Sequence, residues 1–175
     1  PKEIKGNRKV PFFYILFMTI DEKVLAHFYG IISESKQEKY DHIASERTKY
    51  LTIVLENIQK EHNASAVLRT CDCFGIQDLH AVEKDNSYEI QRDIARGAGS
   101  WVDLHSHTTG DNVEIDCLKK LKSQGYRIVA TSPHTDKDIN DISIDQPIAL
   151  VFGTEGYGIS EDVAEFADEL VRIPM

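Results

Sequence analysis

The chain is short of cysteine, of positive charge and of long apolar runs, and each shortage closes off a class of protein. Its three cysteines, Cys71, Cys73 and Cys117, are odd in number and scattered, which excludes a disulfide framework and suits a reducing cytosol. Cys71 and Cys73 stand two apart in a segment that reads as helix, so they point to different faces and share no ligand; no metal is expected. Lys and Arg number 20 against 29 Asp and Glu, a net charge of −9. That balance excludes a general basic surface of the kind that grips nucleic acid through phosphates, so an RNA ligand would need a local basic patch. The most apolar stretch, PFFYILF from Pro11 to Phe17, falls far below the roughly 20 residues of a membrane span. No small-residue cleavage site follows it, so it does not read as a secretory signal either.

What is present is an ordinary globular composition, 41% hydrophobic and 28% charged over 175 residues, enough for one domain with a real core. Met18 reads as a plausible start, with residues 1–17 as upstream read-through or an added edge strand. Residues 18–50 form a helical arm: Val24, Leu25, Phe28, Ile31 and Ile32 fall on one apolar stripe, and Asp21 and Glu22 suit the positive end of a helix dipole. The charged stretch from Ser33 to Lys49 carries Tyr40, Ile43 and Ala44 on a thinner stripe, which a partner or the sheet could cover.

From Leu51 to Met175 the pattern alternates. Strands are predicted at Leu51–Leu55, Asp78–Val82, Trp101–Leu104, Tyr126–Thr131, Ile148–Phe152 and Leu170–Ile173. Helices are predicted at Asn63–Phe74, Asn112–Gln124 and Ser160–Ala167, with Gly75 and Gly125 placed to terminate the first two. Nearly continuous apolar strands alternating with helices predict an α/β fold, a mostly parallel sheet covered by helices on both faces. There is no internal repeat, low-complexity segment or interdomain linker.

Two polar turns, Glu56–His62 after the first strand and the glycine cluster Gly153–Gly158 after the fifth, should open on one edge of that sheet, where such folds bind ligands. Neither matches a dinucleotide fingerprint, since the first turn has no glycine and the second has the wrong order. The helix after the second turn opens with Ser160, Glu161 and Asp162, whose carboxylates would repel a phosphate. The ligand expected at this edge carries no phosphate.

Three segments in order, HNASAVLRTCDCFG, FGTEGYGIS and the terminal VRIPM, resemble motifs of the SpoU/TrmH branch of the SPOUT-class RNA methyltransferases, over about Leu51 to Met175. The resemblance implies a homodimer with a trefoil-knotted C-terminal half that moves a methyl group from S-adenosylmethionine to a ribose 2′-hydroxyl. The nearest likeness is to enzymes acting on a guanosine in the D-loop of tRNA. An rRNA ribose is the alternative within the same fold, and a non-catalytic RNA-binding or dimerisation module is the alternative outside it. S-adenosylmethionine carries no phosphate, in keeping with the independent reading of the edge.

Carried over by position, the resemblance makes Arg69 the central catalytic group, acting on the 2′-hydroxyl and the neighbouring phosphate. By spacing alone, Arg69 reads as a solvated helix arginine bridging Ser65 and Asp72. Asn63 matches the family asparagine, where helix capping is the plainer reading, and His62 before it reads as surface loop. Glu155 matches the acidic residue of the second motif, expected to orient the arginine or the substrate. The implied cofactor contacts are largely main-chain, at Thr131, Gly153 and Ile173, and Ile173 by default reads as core. Lys60, Arg92 and Arg96 are the candidate RNA patch. The family continues past its Ile-Pro-Met segment with a Ser-x-Asn-Val motif and a knot-closing helix, so a C-terminus truncated at Met175 is expected.

Overall fold

The computed structural model describes residues 19–58, 60–83 and 97–174. It divides into two units, one ending at Glu46 and one beginning at Arg47. The first holds two helices, α1 (Ile20–Tyr29) and α2 (Glu34–Ser45). Thr19 caps α1 in a reciprocal box with Glu22, placing Asp21 and Glu22 in the first turn as the dipole favours. Gln37 ties the helices by donating to the Tyr29 carbonyl at 2.7 Å and the Ile32 carbonyl at 3.2 Å. No residue of either helix is buried, and the apolar stripe stays open, with Val24 49%, Leu25 55% and Phe28 56% exposed.

The second unit alternates strand and helix in the order β1 (Leu51–Glu56), α3 (Glu61–Cys73), β2 (Asp78–Val82), β3 (Asp103–His107), α4 (Val113–Ser123), β4 (Arg127–Thr131), β5 (Ile148–Phe152), α5 (Glu161–Phe166) and β6 (Glu169–Val171). Single 3-10 turns lie at Ala98–Ser100 and Ile139–Asp141. The six strands form one sheet in the order β3-β2-β1-β5-β4-β6, with every pairing parallel. This is the predicted α/β class.

Side chains alternate across the sheet and fill two apolar layers, as a doubly covered parallel sheet requires. Ile53 and Leu55 of β1 and Leu150 of β5 pack with Ala64, Leu68 and Cys71 of α3 on one face. Val54, Ile128, Ala130, Ala149 and Val151 pack with Cys117, Leu118 and Leu121 of α4 and Val163 of α5 on the other. Gly75 and Gly125 end α3 and α4 with φ of 70° and 93°, the left-handed conformation that glycine enters without penalty.

Two strands depart from prediction: β6 ends at Val171 rather than Ile173, and the third strand is shifted further. Trp101–Leu104 was expected, whereas β3 begins at Asp103 and runs to His107. Val102 is apolar because it packs into the core after the 3-10 turn, and β3 is polar because it is an edge strand with half-buried or exposed side chains.

Candidate active site

The sheet order reverses between β1 and β5, so the chain leaves their carboxyl ends in opposite directions and opens a crevice there. The exit from β1 has no glycine because Asn57 supplies the left-handed residue, with φ 51°, a conformation asparagine tolerates better than most. Lys60 then precedes α3 without a side-chain cap bond, and Asn63 lies inside the helix as its third residue. Asn63 is therefore not the N-cap, and its side chain is free to reach outward. It donates a hydrogen bond to the Glu155 carboxylate in the turn after β5.

That second turn is closed on itself. Thr154 and Gly158 exchange backbone hydrogen bonds of 2.8 and 2.9 Å, leaving Glu155, Gly156 and Tyr157 at the tip. Gly153 is obligatory for this closure, since a Cβ there would stand 2.0 Å from the Gly158 carbonyl carbon. The turn itself therefore requires the missing side chain. Ser160 then caps α5 by accepting from the Val163 N–H at 3.3 Å. The Ser160 N–H donates to both oxygens of Glu56 at 3.1 and 3.2 Å. Glu56, the buried last residue of β1, therefore fixes the start of α5, a positioning role the sequence reading missed. Its signal was available: one acid closing the apolar run LTIVLE.

Burial pulls the Glu155 carboxyl upward, but the Asn63 hydrogen bond, its own backbone hydrogen bond and the charges of Lys60 and His62 outweigh it, so its pKa ends lowered. His62 is exposed in the first turn of α3, not in a loop. Arg69 lies on the exposed face of the same helix, and among the described residues the hydrogen bond at this turn joins Asn63 to Glu155 without it. The Asp72 carboxylate, expected to bridge to Arg69, is instead paired with Arg47 at 2.7 Å.

The expected cofactor positions fall side by side. Thr131 ends β4, Gly153 follows β5 and Ile173 lies just past β6, on three adjacent strands of the order β5-β4-β6, spaced by about 4.8 Å each. The Thr131 hydroxyl is committed to the Val151 carbonyl at 3.0 Å. Ile173 is 47% exposed, so it is a rim residue and not core. Of the basic patch, Lys60 is exposed beside this edge, while Arg92 and Arg96 lie outside the described residues.

Residues 50–175 match the SpoU rRNA Methylase family. The chain belongs to that family. It is 39% identical over 146 residues to the tRNA (guanosine(18)-2'-O)-methyltransferase of Borreliella burgdorferi, an alignment covering 82% of this chain and 65% of the relative. The enzyme of the same name from Thermus thermophilus is 32% identical over 144 residues, covering 82% of this chain and 72% of the relative. Among solved structures, the TrmH/SpoU tRNA modifying enzyme of A. aeolicus superposes with a TM-score of 0.71 at 29% identity, over 81% of this chain and 71% of that one. The chain thus spans about two thirds of the length of these relatives.

Away from the edge, this SpoU-family domain carries a histidine ladder on the α4 face of β2 and β3. His80 pairs with His105 in the strand register and stacks on it at 4.6 Å, and His80 Nδ1 lies 3.0 Å from His107 Nε2. His105 Nε2 lies 2.8 Å from Asp78, which Lys49 also approaches at 3.2 Å. Burial, followed by the neighbouring His105 and His107, pushes His80 down to about 4, and burial, followed by Lys120, lowers His107. Both rings are therefore neutral near pH 7.

Proposed function

We propose that the whole protein is an S-adenosylmethionine-dependent methyltransferase acting on a ribose 2′-hydroxyl of RNA, with a guanosine of tRNA as its substrate. The observation that carries this reading is the Asn63–Glu155 hydrogen bond, which joins the first and second family motifs across the crevice at the carboxyl edge of the sheet. The names of the tRNA-modifying relatives point to the same substrate, and an rRNA ribose is the alternative consistent with the family description.

The edge fits a sulfonium nucleoside better than a nucleotide. Glu155, Glu161 and Asp162 put carboxylates at the turn after β5 and in the first turn of α5, which suits a cation and repels phosphate. With the Thr131 hydroxyl occupied, recognition at Thr131, Gly153 and Ile173 falls to main-chain groups. When bound there, S-adenosylmethionine supplies an electrophilic methyl group on sulfur. Glu155, its carboxyl lowered by the Asn63 hydrogen bond against the pull of burial, orients the reacting groups. Arg69 presents a guanidinium with no acidic partner among the described residues, free to hold the 2′-hydroxyl and the adjacent phosphate. Lys60, Arg92 and Arg96 supply the local positive charge that RNA needs on this acidic chain.

The same reading makes the enzyme a cytoplasmic homodimer. The unburied stripe of Val24, Leu25, Phe28 and Ile31 is the kind of surface a two-fold partner covers. No described helix is long and apolar enough to cross a membrane. Incubation of the full-length protein with methyl-labelled S-adenosylmethionine and unmodified transcripts tests the substrate: label should enter tRNA and not rRNA fragments. Label in rRNA alone would move the substrate, and label in neither would remove the activity.

A further inference from the structure

The histidine ladder meets a thiol. One nitrogen of His80, one of His107 and the Cys117 sulfur all lie within 4.8 Å of one another, with His80 and Cys117 buried and His107 half-buried. They come from three elements, β2, the edge strand β3 and α4, and each is aimed into the layer between sheet and helix. None of the three belongs to β1, to β5 or to the turns that follow them. From this geometry we infer that His80, His107 and Cys117 form a binding site for a zinc-like divalent transition-metal ion.

Three physical points favour it. A tetrahedral zinc with bonds of about 2.0–2.3 Å sets its ligand atoms about 3.3–3.6 Å apart. The 3.0 Å between His80 Nδ1 and His107 Nε2 already approaches that spacing, and the sulfur needs only a small side-chain adjustment to reach it. The donor set, two imidazoles and a thiolate, is the borderline-soft combination that selects zinc or its close neighbours over magnesium or calcium. His80 is also fixed from outside the triad, since it stacks on His105, which Asp78 holds at 2.8 Å. Such support around a ligand ring orients it for coordination.

The coordination balances simply. The Cys117 thiol loses its proton to solvent as the sulfur–metal bond forms. The proton shared between His80 Nδ1 and His107 Nε2 in the metal-free pair moves to the far nitrogen of its own ring, so each coordinating nitrogen offers a lone pair. Lys120 adds positive charge beside the two rings, and the thiolate offsets part of it. A water reaching the half-buried His107 side supplies the fourth position. The ion would clamp β3, an edge strand with exposed polar residues, to α4, which makes its role structural.

Cobalt(II) titration of the tag-free, full-length protein tests this site independently of methyl transfer. One cobalt per chain should give a thiolate-to-cobalt charge-transfer band and the intense visible bands of tetrahedral cobalt, and zinc should displace it. Cys117→Ser should abolish the charge-transfer band, and His107→Gln should weaken binding by more than about tenfold. Cys73→Ser, at an exposed cysteine on α3, should leave the spectrum unchanged. Far-UV circular dichroism of each variant establishes that it is folded, and zinc should raise the melting temperature of the parent but not of Cys117→Ser. Weak octahedral cobalt bands in the parent, or a charge-transfer band retained in folded Cys117→Ser, would overturn the assignment.

Discussion

The Asn63 amide donates to the Glu155 carboxylate across 92 residues of chain, and this contact joins the helix that follows β1 to the turn that follows β5. Both residues are solvent-accessible, so the bond adds little to stability, on the order of 1 kcal/mol. Its value lies in holding an ionised carboxylate in one place. A double-mutant cycle with Asn63→Ala and Glu155→Ala is therefore expected to show non-additive losses in kcat, each single change removing most of what the pair removes. Thermal melts of all four proteins should agree to within about 1 kcal/mol. Additive kinetic losses would mean that the two side chains act separately.

The glycines of the second turn should differ sharply under substitution. Gly153→Ala places a Cβ against the Gly158 backbone, where no side chain can move aside, so a loss of about 2–3 kcal/mol and an opened turn are expected. Gly158 has φ 73° in open space, and alanine there should cost about 1–2 kcal/mol through backbone strain alone. Gly156 has neither constraint and should accept alanine nearly silently. Chemical denaturation of the three variants checks the ranking.

Two arginines near α3 separate structure from chemistry. Arg47 is 9% exposed at its side chain and binds Asp72 at 2.7 Å, Gln77 at 3.0 Å and the Ile76 carbonyl at 3.0 Å. Arg47→Ala leaves those groups unpaired and should destabilise the fold by about 2–4 kcal/mol. Arg69→Ala should change stability by less than about 0.5 kcal/mol while reducing methyl transfer by orders of magnitude. Equal stability losses in the two variants would contradict this division.

Much of this was legible from the residues. The apolar runs from Leu51, Asp78 and Ile148 announced buried parallel strands, and Gly75 and Gly125 marked helix ends because only glycine enters φ 70° and 93° cheaply. The meeting of the two turns followed from strand direction alone. Burial and partner choice were not legible. Asp72 has Arg69 at helical spacing, yet in the fold its carboxylate is taken by Arg47, 25 residues away. Asn63 suits a cap by residue type, yet the helix begins earlier, at Glu61, so its amide reaches a residue 92 positions away. The histidines of β2 and β3 meet Cys117 only through strand register and the docking of α4.

Acid should expose a second long-range link. Asp168 accepts from Lys122 at 2.5 Å and from the Ile128 N–H at 2.9 Å. Burial raises its carboxyl, but these contacts and Arg127 outweigh that and hold it below the ordinary aspartate range. A carboxylate lowered in the folded state contributes stability that is complete above its unfolded value and disappears as pH falls through the folded one. The melting temperature should therefore drop below about pH 4, and Asp168→Asn should melt lower at neutral pH with a shallower acid decline. Parallel curves for the two proteins would rule out this link.

The most direct test of the central claim is the chemical position of the transferred methyl group. A ribose whose 2′-oxygen carries a methyl cannot attack its own phosphate, so the adjoining phosphodiester survives alkali that cleaves every other bond. Methyl-labelled tRNA made by the full-length protein and then hydrolysed in alkali should yield its label in a dinucleotide that begins with guanosine. Label recovered in mononucleotides, which would place the methyl on a base, would contradict the account.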